Sequence, residues 1–427
     1  MNVPGFALNL PSDERLRLAR AWFWLGLVAF FLACVFALFS VLTRTSGSHV
    51  ETFSRTMSIV HVDLSVLVWF SAFGAMLWTL GMSPRFVGFG WAALAIATLG
   101  AALVTLAPFT GTGSPLDNAY VPVLQQTPFL LGLVLFGVGI SMLIARTLLA
   151  AFPVNQRGGG AVTLHFGLVT AASAAALAVL AILFSYFGLP ETLTGRAYYD
   201  ALFWGGGHII QFAYTALMSV AWLWLASASG VVVALPVRVV FFLFAVTLLS
   251  VAIVPFAYFA FDVASAEYVQ FFALHKQYVA GLAAVPLALA LVYGLWRAPP
   301  TTANARTLRA ALFVSIALFS AGGVVGFIEQ PTGVAATSHF HASIAGVALA
   351  FMGLTYCLLP MLGYAEPNAK WALAQPIVYG GGELMNALGL AQTGGLIAFI
   401  GGFVFVGVAF TAIYHARKDR RTRARLA

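Results

Sequence analysis

Apolar residues fill stretch after stretch of this chain for twenty or more positions, and the polar residues gather in short intervals between them. A helix rises ~1.5 Å per residue, so about twenty such residues cross ~30 Å of hydrocarbon with every backbone group bonded inside the helix. The runs at 20–43, 57–81, 89–108, 126–149, 161–187, 201–227, 236–261, 270–296, 306–328, 336–362, 370–389 and 392–415 predict about twelve spans in a single transmembrane domain over 1–427, with a basic tail at 416–427. The eleventh run is the weakest. Gly380-Gly381-Gly382-Glu383 lowers its hydropathy, and a Gln392-Thr393-Gly394-Gly395 turn joins it to the last run. If it re-entered instead of crossing, the two termini would lie on opposite sides.

Composition narrows the class. With 61% hydrophobic and 8% charged residues in 427, no polar segment is long enough for a soluble domain, so the expected fold is an all-α integral membrane protein. The polar Ser12-Asp13-Glu14-Arg15 entry leads into a full-length span without a cleavage-site pattern, which makes the first helix its own insertion signal. Cys34 and Cys357 fall inside helices at no metal or redox spacing and read as packing residues.

A net charge of +8 invites a nucleic-acid reading that its placement excludes. With twelve spans and both termini cytoplasmic, 17 of the 21 basic residues lie inside, and only Arg44, Arg55, Arg196 and Lys276 lie outside. This is the positive-inside bias, and it predicts a multi-pass protein of a bacterial-type inner membrane whose partner is the lipid bilayer. The tail from Arg417 to Arg425 then solvates and touches anionic lipid.

Histidine placement adds chemistry. His61, His208, His275, His339 and His341 all lie a few residues into even-numbered runs, which enter from the outer face, so all five occupy the outer third of the bilayer. His49, His165 and His415 are interfacial. An unpartnered imidazole is costly in hydrocarbon, so a cluster at one depth implies ligation; the plain alternative is that each ring bonds a neighbouring helix carbonyl and packs. In Ser338-His339-Phe340-His341 the two rings are ~200° apart on one helix and cannot chelate one metal. They can carry a planar cofactor on each side of it.

Several segments, in this order and on these helices, make most of the chain resemble the catalytic subunit, subunit I, of the haem-copper oxidase superfamily of oxygen and nitric oxide reductases. They are His61-Val62-Asp63-Leu64-Ser65, Trp204-Gly205-Gly206-Gly207-His208, Gly322-Gly323-Val324-Val325-Gly326, the His339-Phe340-His341 pair and Gln375-Pro376-Ile377-Val378-Tyr379-Gly380. The resemblance implies two haems. His61 and His341 would be the axial ligands of a low-spin haem and His339 the proximal ligand of a high-spin haem, with His208 the first of three histidines holding a distal copper or non-haem iron.

The chain departs from that pattern where the family places an adjacent histidine pair. Here stands Pro255-Phe256-Ala257-Tyr258-Phe259, which leaves the distal metal doubtful, since one imidazole holds copper weakly. His275 is the candidate second ligand, with Asp262 or Glu267 to complete an oxygen-rich site. The family's tyrosine four residues after the first distal histidine is missing as well, so Tyr214 and Tyr258 are the catalytic stand-ins. Asp63, Glu329 and Glu383 are the intramembrane carboxyl candidates, Asp63 being the one that a proton role suits. Tyr120, Tyr198 and Tyr199 sit in or beside outer loops, to cover a haem edge or anchor the interface.

The expected function is a haem oxidoreductase subunit. It would take electrons from a small donor subunit or an external cytochrome or cupredoxin, and reduce oxygen or nitric oxide at the high-spin haem. One alternative keeps the haems without turnover, as an electron relay or gas sensor. A second is a twelve-helix transporter, prompted by Gly81-Met82-Ser83-Pro84-Arg85-Phe86-Val87-Gly88, but that loop lacks its acidic residue and a transporter gives no reason for the histidines.

Overall fold

In the computed structural model the described residues are 5–43, 48–111, 113–118, 120–300, 302–328 and 334–426; Arg44 and Glu329 lie outside them. Among these residues eleven helices are long and apolar enough to cross a bilayer. They are α1 (Glu14–Thr43), α2 (Glu51–Gly81), α3 (Val87–Phe109), α4 (Thr127–Leu149), α5 (Gly159–Gly188), α6 (Gly195–Ala228), α7 (Val237–Ala260), α8 (Ala266–Arg297), α9 (Ala303–Ile328), α10 (Ser338–Met361) and α12 (Gln392–Asp419). Between the last two runs α11 (Ala369–Ala387), less apolar than the rest. Its 19 residues span ~28 Å at the usual rise. It lies along α12 as an antiparallel hairpin arm, with Asn386 beside Gly394 at one end and Tyr379 beside Gly401 further on. The protein is therefore an all-α membrane protein, with twelve long helices among the described residues, one of them only marginally apolar.

Small residues bring the helices of each hairpin close, as expected where lipid offers no hydrophobic drive for association. A methyl group on Gly100 of α3 would lie 2.6 Å from the Gly132 carbonyl of α4, and one on Gly394 would lie 2.7 Å from the Gly382 carbonyl of α11. The α1 helix starts at Glu14, six residues before the apolar run, because the Asp13 carboxylate caps it by accepting from the Arg15 backbone N–H at 2.9 Å.

Three helices form the centre: α2, α6 and α10 are the most buried of the spans. Aromatic rings lock α2 to α10, with Phe73 stacked on Phe351 at 4.3 Å and Phe70 edge-on to Phe351 at 5.3 Å. Buried polar groups pair across helices: Trp222 of α6 donates to Ser315 of α9 at 2.7 Å, and Ser315 donates to the Gly346 carbonyl of α10 at 2.6 Å.

Two irregularities shape the histidine-bearing end. A π-helical turn, Asp63–Val68, interrupts α2 two residues after His61. The α7 helix breaks at Ile253–Val254 ahead of Pro255, whose missing N–H suits a new helix start. Between α3 and α4 a short hairpin, β1 (Ser114–Leu116) paired with β2 (Val123–Gln125), carries Tyr120 at its tip. The Asn118 side chain accepts from the backbone N–H groups of Tyr120 and Val121, fixing that turn.

Candidate functional site

Four of the five singled-out histidines stand on the three central helices, His61 on α2, His208 on α6 and His339 and His341 on α10. Each of three presents the same face. The Nδ1 of His61 lies 2.9 Å from the Ala33 carbonyl of α1, and that of His339 lies 2.7 Å from the Gly322 carbonyl of α9. The Nδ1 of His341 lies 3.3 Å from Glu383 Oε2 on α11, an oxygen that also accepts from Asn386 at 3.2 Å. Carbonyls and carboxylates only accept, so Nδ1 carries the proton in each ring and the neutral imidazole keeps its lone pair at Nε2. Among the described residues no hydrogen bond engages any of these three Nε2 atoms. The rings do bond their neighbours, as the plain alternative supposed, yet through the nitrogen that ligation does not use.

The histidines fall into two groups. His61 lies within electrostatic reach of His341 and Glu383. His208 and His339 instead lie within electrostatic reach of Lys276 of α8, and His208 within reach of His275 as well. The two rings of the α10 pair part as the helical period requires, His339 against α9 and His341 toward α11.

His208 differs from the other three. Its Nδ1 lies 2.8 Å from the Trp204 carbonyl one turn back, and the Tyr120 hydroxyl lies against the ring edge, 2.8 Å from Nδ1 and 3.1 Å from Nε2. Burial raises the Tyr120 phenol above its ordinary value and keeps it a donor. Trp204 and Phe272 close the cage at 4.7 and 5.5 Å between ring centres. The glycine triplet before His208 has steric causes: a side chain at Gly207 would overlap the Tyr120 ring, and one at Gly205 would overlap the Tyr258 and Tyr268 hydroxyls.

The other candidates do not join His208. His275 commits Nε2 to the Ser250 carbonyl of α7 at 2.8 Å and stacks parallel to Phe271, while its buried Nδ1 has no partner among the described residues. Tyr258 accepts from the Tyr268 hydroxyl at 2.9 Å, with Ser185 of α5 beside both. Tyr214 sits deeper, 3.2 Å from Ser71 between α6 and α2. Asp63 is buried at the start of the π turn, with Oδ2 unpartnered among the described residues. No three His, Cys, Asp or Glu side chains among the described residues stand together as a metal site.

The donor sets can be judged on these contacts. Imidazoles offering an uncommitted Nε2, each held by an acceptor on Nδ1, are what haem iron takes, and the acceptor is the usual outer partner of a ligating histidine. His61, His339 and His341 fit that requirement. The surroundings of His208 do not fit a distal metal: the Tyr120 hydroxyl lies against its ring nitrogens, and among the described residues no three metal-ligating side chains stand together. The sequence reading missed the Tyr120 contact, although Asn118 two residues earlier signals the turn that aims Tyr120, and it missed the pairing of Glu383 with His341.

No family model matches the chain. Over 91% of its length it is similar, at 24% identity, to an uncharacterized protein of Rickettsia prowazekii, 94% of which is covered. An uncharacterized protein of Aquifex aeolicus is 27% identical over 82% of this chain and 86% of that protein. In three dimensions the chain is similar to a haem-copper terminal oxidase solved as a dimer by cryo-electron microscopy, with a TM-score of 0.64 covering 95% of this chain and 84% of the other at 15% identity. The fold is thus that of a haem-copper terminal oxidase chain.

Proposed function

We propose that this protein is a membrane haem oxidoreductase that binds one haem between His61 and His341 and a second on His339. The observation that carries the reading is that, among the described residues, no hydrogen bond engages Nε2 on any of those three rings, within the oxidase fold. Bound there, the haems would supply one-electron transfer from an external donor and a site for oxygen or nitric oxide. The residues do the positioning. Ala33 and Gly322 fix the tautomer and rotation of His61 and His339, and the Glu383 carboxylate makes His341 the more basic ligand. The His339-Phe340-His341 backbone holds both sites on one rigid helix. The basic residues favour a bacterial inner membrane with both termini cytoplasmic, placing the histidines toward an external cytochrome, cupredoxin or small donor subunit.

A pyridine haemochrome assay on purified protein tests this: two haems per chain are expected, and colourless protein refutes it. His61→Ala should remove the low-spin spectrum and spare the gas-binding one, with His339→Ala doing the reverse; identical spectra overturn the assignment. The Tyr120 hydroxyl against both ring nitrogens of His208 favours a second reading, an electron relay or gas sensor. Gas binding without consumption from a reduced donor would select it, and steady consumption the first.

A further inference from the structure

Far from the histidines, an open groove of about 360 Å³ runs between α8, α9 and α11, walled by Leu295, Ala310, Phe313 and Leu373. Its charged lining is Arg306 and Arg309, three residues apart on one face of α9. The groove lies at the end of the bundle where α1 begins: the Phe6 N–H donates to Ser227 of α6 at 2.7 Å, and Arg309 donates to the Ser229 carbonyl just beyond. Trp296 and Trp371, both largely exposed, stand near it at the ends of α8 and α11, as aromatic residues do at headgroup depth.

The two arginines leave charge and donors to spare. Arg309 is buried, with Nε and Nη2 donating to the Ser229 carbonyl at 3.1 and 2.9 Å and Nη1 to the Ala298 carbonyl. A guanidinium has five N–H groups, so one on each terminal nitrogen is left over. Those partners are neutral carbonyls, and among the described residues no carboxylate pairs with Arg309 or with the exposed Arg306. Two uncompensated guanidiniums above an apolar wall suit a ligand with an anionic head and a hydrocarbon body.

We infer that this groove binds one anionic phospholipid, its phosphate between Arg306 and Arg309 and an acyl chain against Leu295, Phe313 and Leu373. Phe313, 55% exposed, continues the wall toward the hydrocarbon. A free inorganic anion would gain nothing from that wall, and a partner's basic segment would be repelled by the arginines.

The test uses the full-length protein in detergent, with phosphatidylglycerol or phosphatidylcholine of the same acyl chains added to the micelles, because a ligand of the folded state raises Tm with concentration. Wild type should show a saturable rise that favours phosphatidylglycerol. Arg306→Gln should need roughly fivefold more of it, the effect of one interfacial charge. Ala310→Phe, which fills the groove and leaves the charge alone, should also weaken the response. Arg297→Gln removes an equal charge from a guanidinium that stacks on Tyr293 outside the groove, and should leave the response unchanged. Equal losses in Arg306→Gln and Arg297→Gln would mean diffuse surface charge and overturn the site, as would an unaltered response in Ala310→Phe. Equal responses to the two lipids, or one to inorganic phosphate that matches phosphatidylglycerol, would overturn the choice of ligand. None of these readouts depends on haem.

Discussion

The imidazole of His339 on α10 reaches the Gly322 carbonyl of α9 at 2.7 Å only because position 326, one turn along α9, has no side chain: a methyl there would overlap the ring. Gly326→Ala should therefore rotate or expel the imidazole. The expected outcome is loss of the carbon monoxide difference spectrum of the gas-binding haem, with the low-spin bands kept. Gly323→Ala is the control, since nothing lies within 4 Å of a methyl at that position. Equal spectra from the two variants would show that the approach to α9 does not set the ring.

Glu383 holds His341 from a separate helix. Glu383→Gln keeps the shape but replaces the anionic acceptor, and outer partners of ligating histidines typically contribute about 10- to 100-fold to metal affinity. Low-spin haem per chain should fall accordingly, with His339-dependent gas binding retained. Asn386→Ala, which removes only the 3.2 Å bond steadying the carboxylate, should have a smaller effect in the same direction. Full low-spin haem in Glu383→Gln would mean that the pairing is incidental.

What the sequence made legible follows from which quantities are local. Helix order depends on hydropathy along the chain, which the sequence states directly. The parting of His339 and His341 needs only the helical period. The partner of each ring depends instead on how one helix is rotated against the next, and no pattern within α10 indicates that Gly322 or Glu383 faces it. The capping of His208 by Tyr120 joins residues 88 apart through a loop hairpin, and loops are where hydropathy is silent. The π turn after His61 was hidden for a related reason, since tertiary packing decides it against weak local preference, whereas the marginal apolarity of α11 was legible in its Gly380-Gly381-Gly382-Glu383 stretch.

The close pairing of α3 and α4 offers a stability test away from the histidines. A side chain on Gly100 would meet the Gly132 carbonyl at 2.6 Å and the Phe136 Cα at 2.8 Å, so the backbones must separate to admit it. Gly100→Ala should lower stability by about 1–3 kcal/mol, the usual cost of overpacking, read as a lower Tm in detergent. Gly137→Ala on the same hairpin meets nothing within 4 Å and should be nearly neutral. A Gly100→Ala variant no less stable than Gly137→Ala, with neither below wild type, would show that helix propensity, which favours alanine, outweighs the contact.

At the opposite end of α1 the ion pair of Asp13 with Arg15 makes a pH prediction. The guanidinium donates to the carboxylate from Nε at 2.9 Å and Nη2 at 2.7 Å, while its Nη1 donates to the Met82 carbonyl, so the pair ties the helix start to the α2–α3 loop. Arg15, through its side-chain hydrogen bonds above all, holds the Asp13 carboxyl below its ordinary 3.8. A carboxyl depressed in the folded state contributes stability that is present above its unfolded value and is lost as pH falls through the folded one. Because the Asp13 side chain is 43% exposed, solvent screens the pair, and its contribution belongs with surface pairs at under about 1 kcal/mol. Asp13→Asn should therefore cost a small drop in Tm near neutral pH, shrink with added salt and vanish in acid below the ordinary carboxyl range. Equal Tm values of wild type and Asp13→Asn at neutral pH would mean that Asp13 acts as an uncharged helix cap, a role asparagine fills equally well, and that the ion pair contributes nothing.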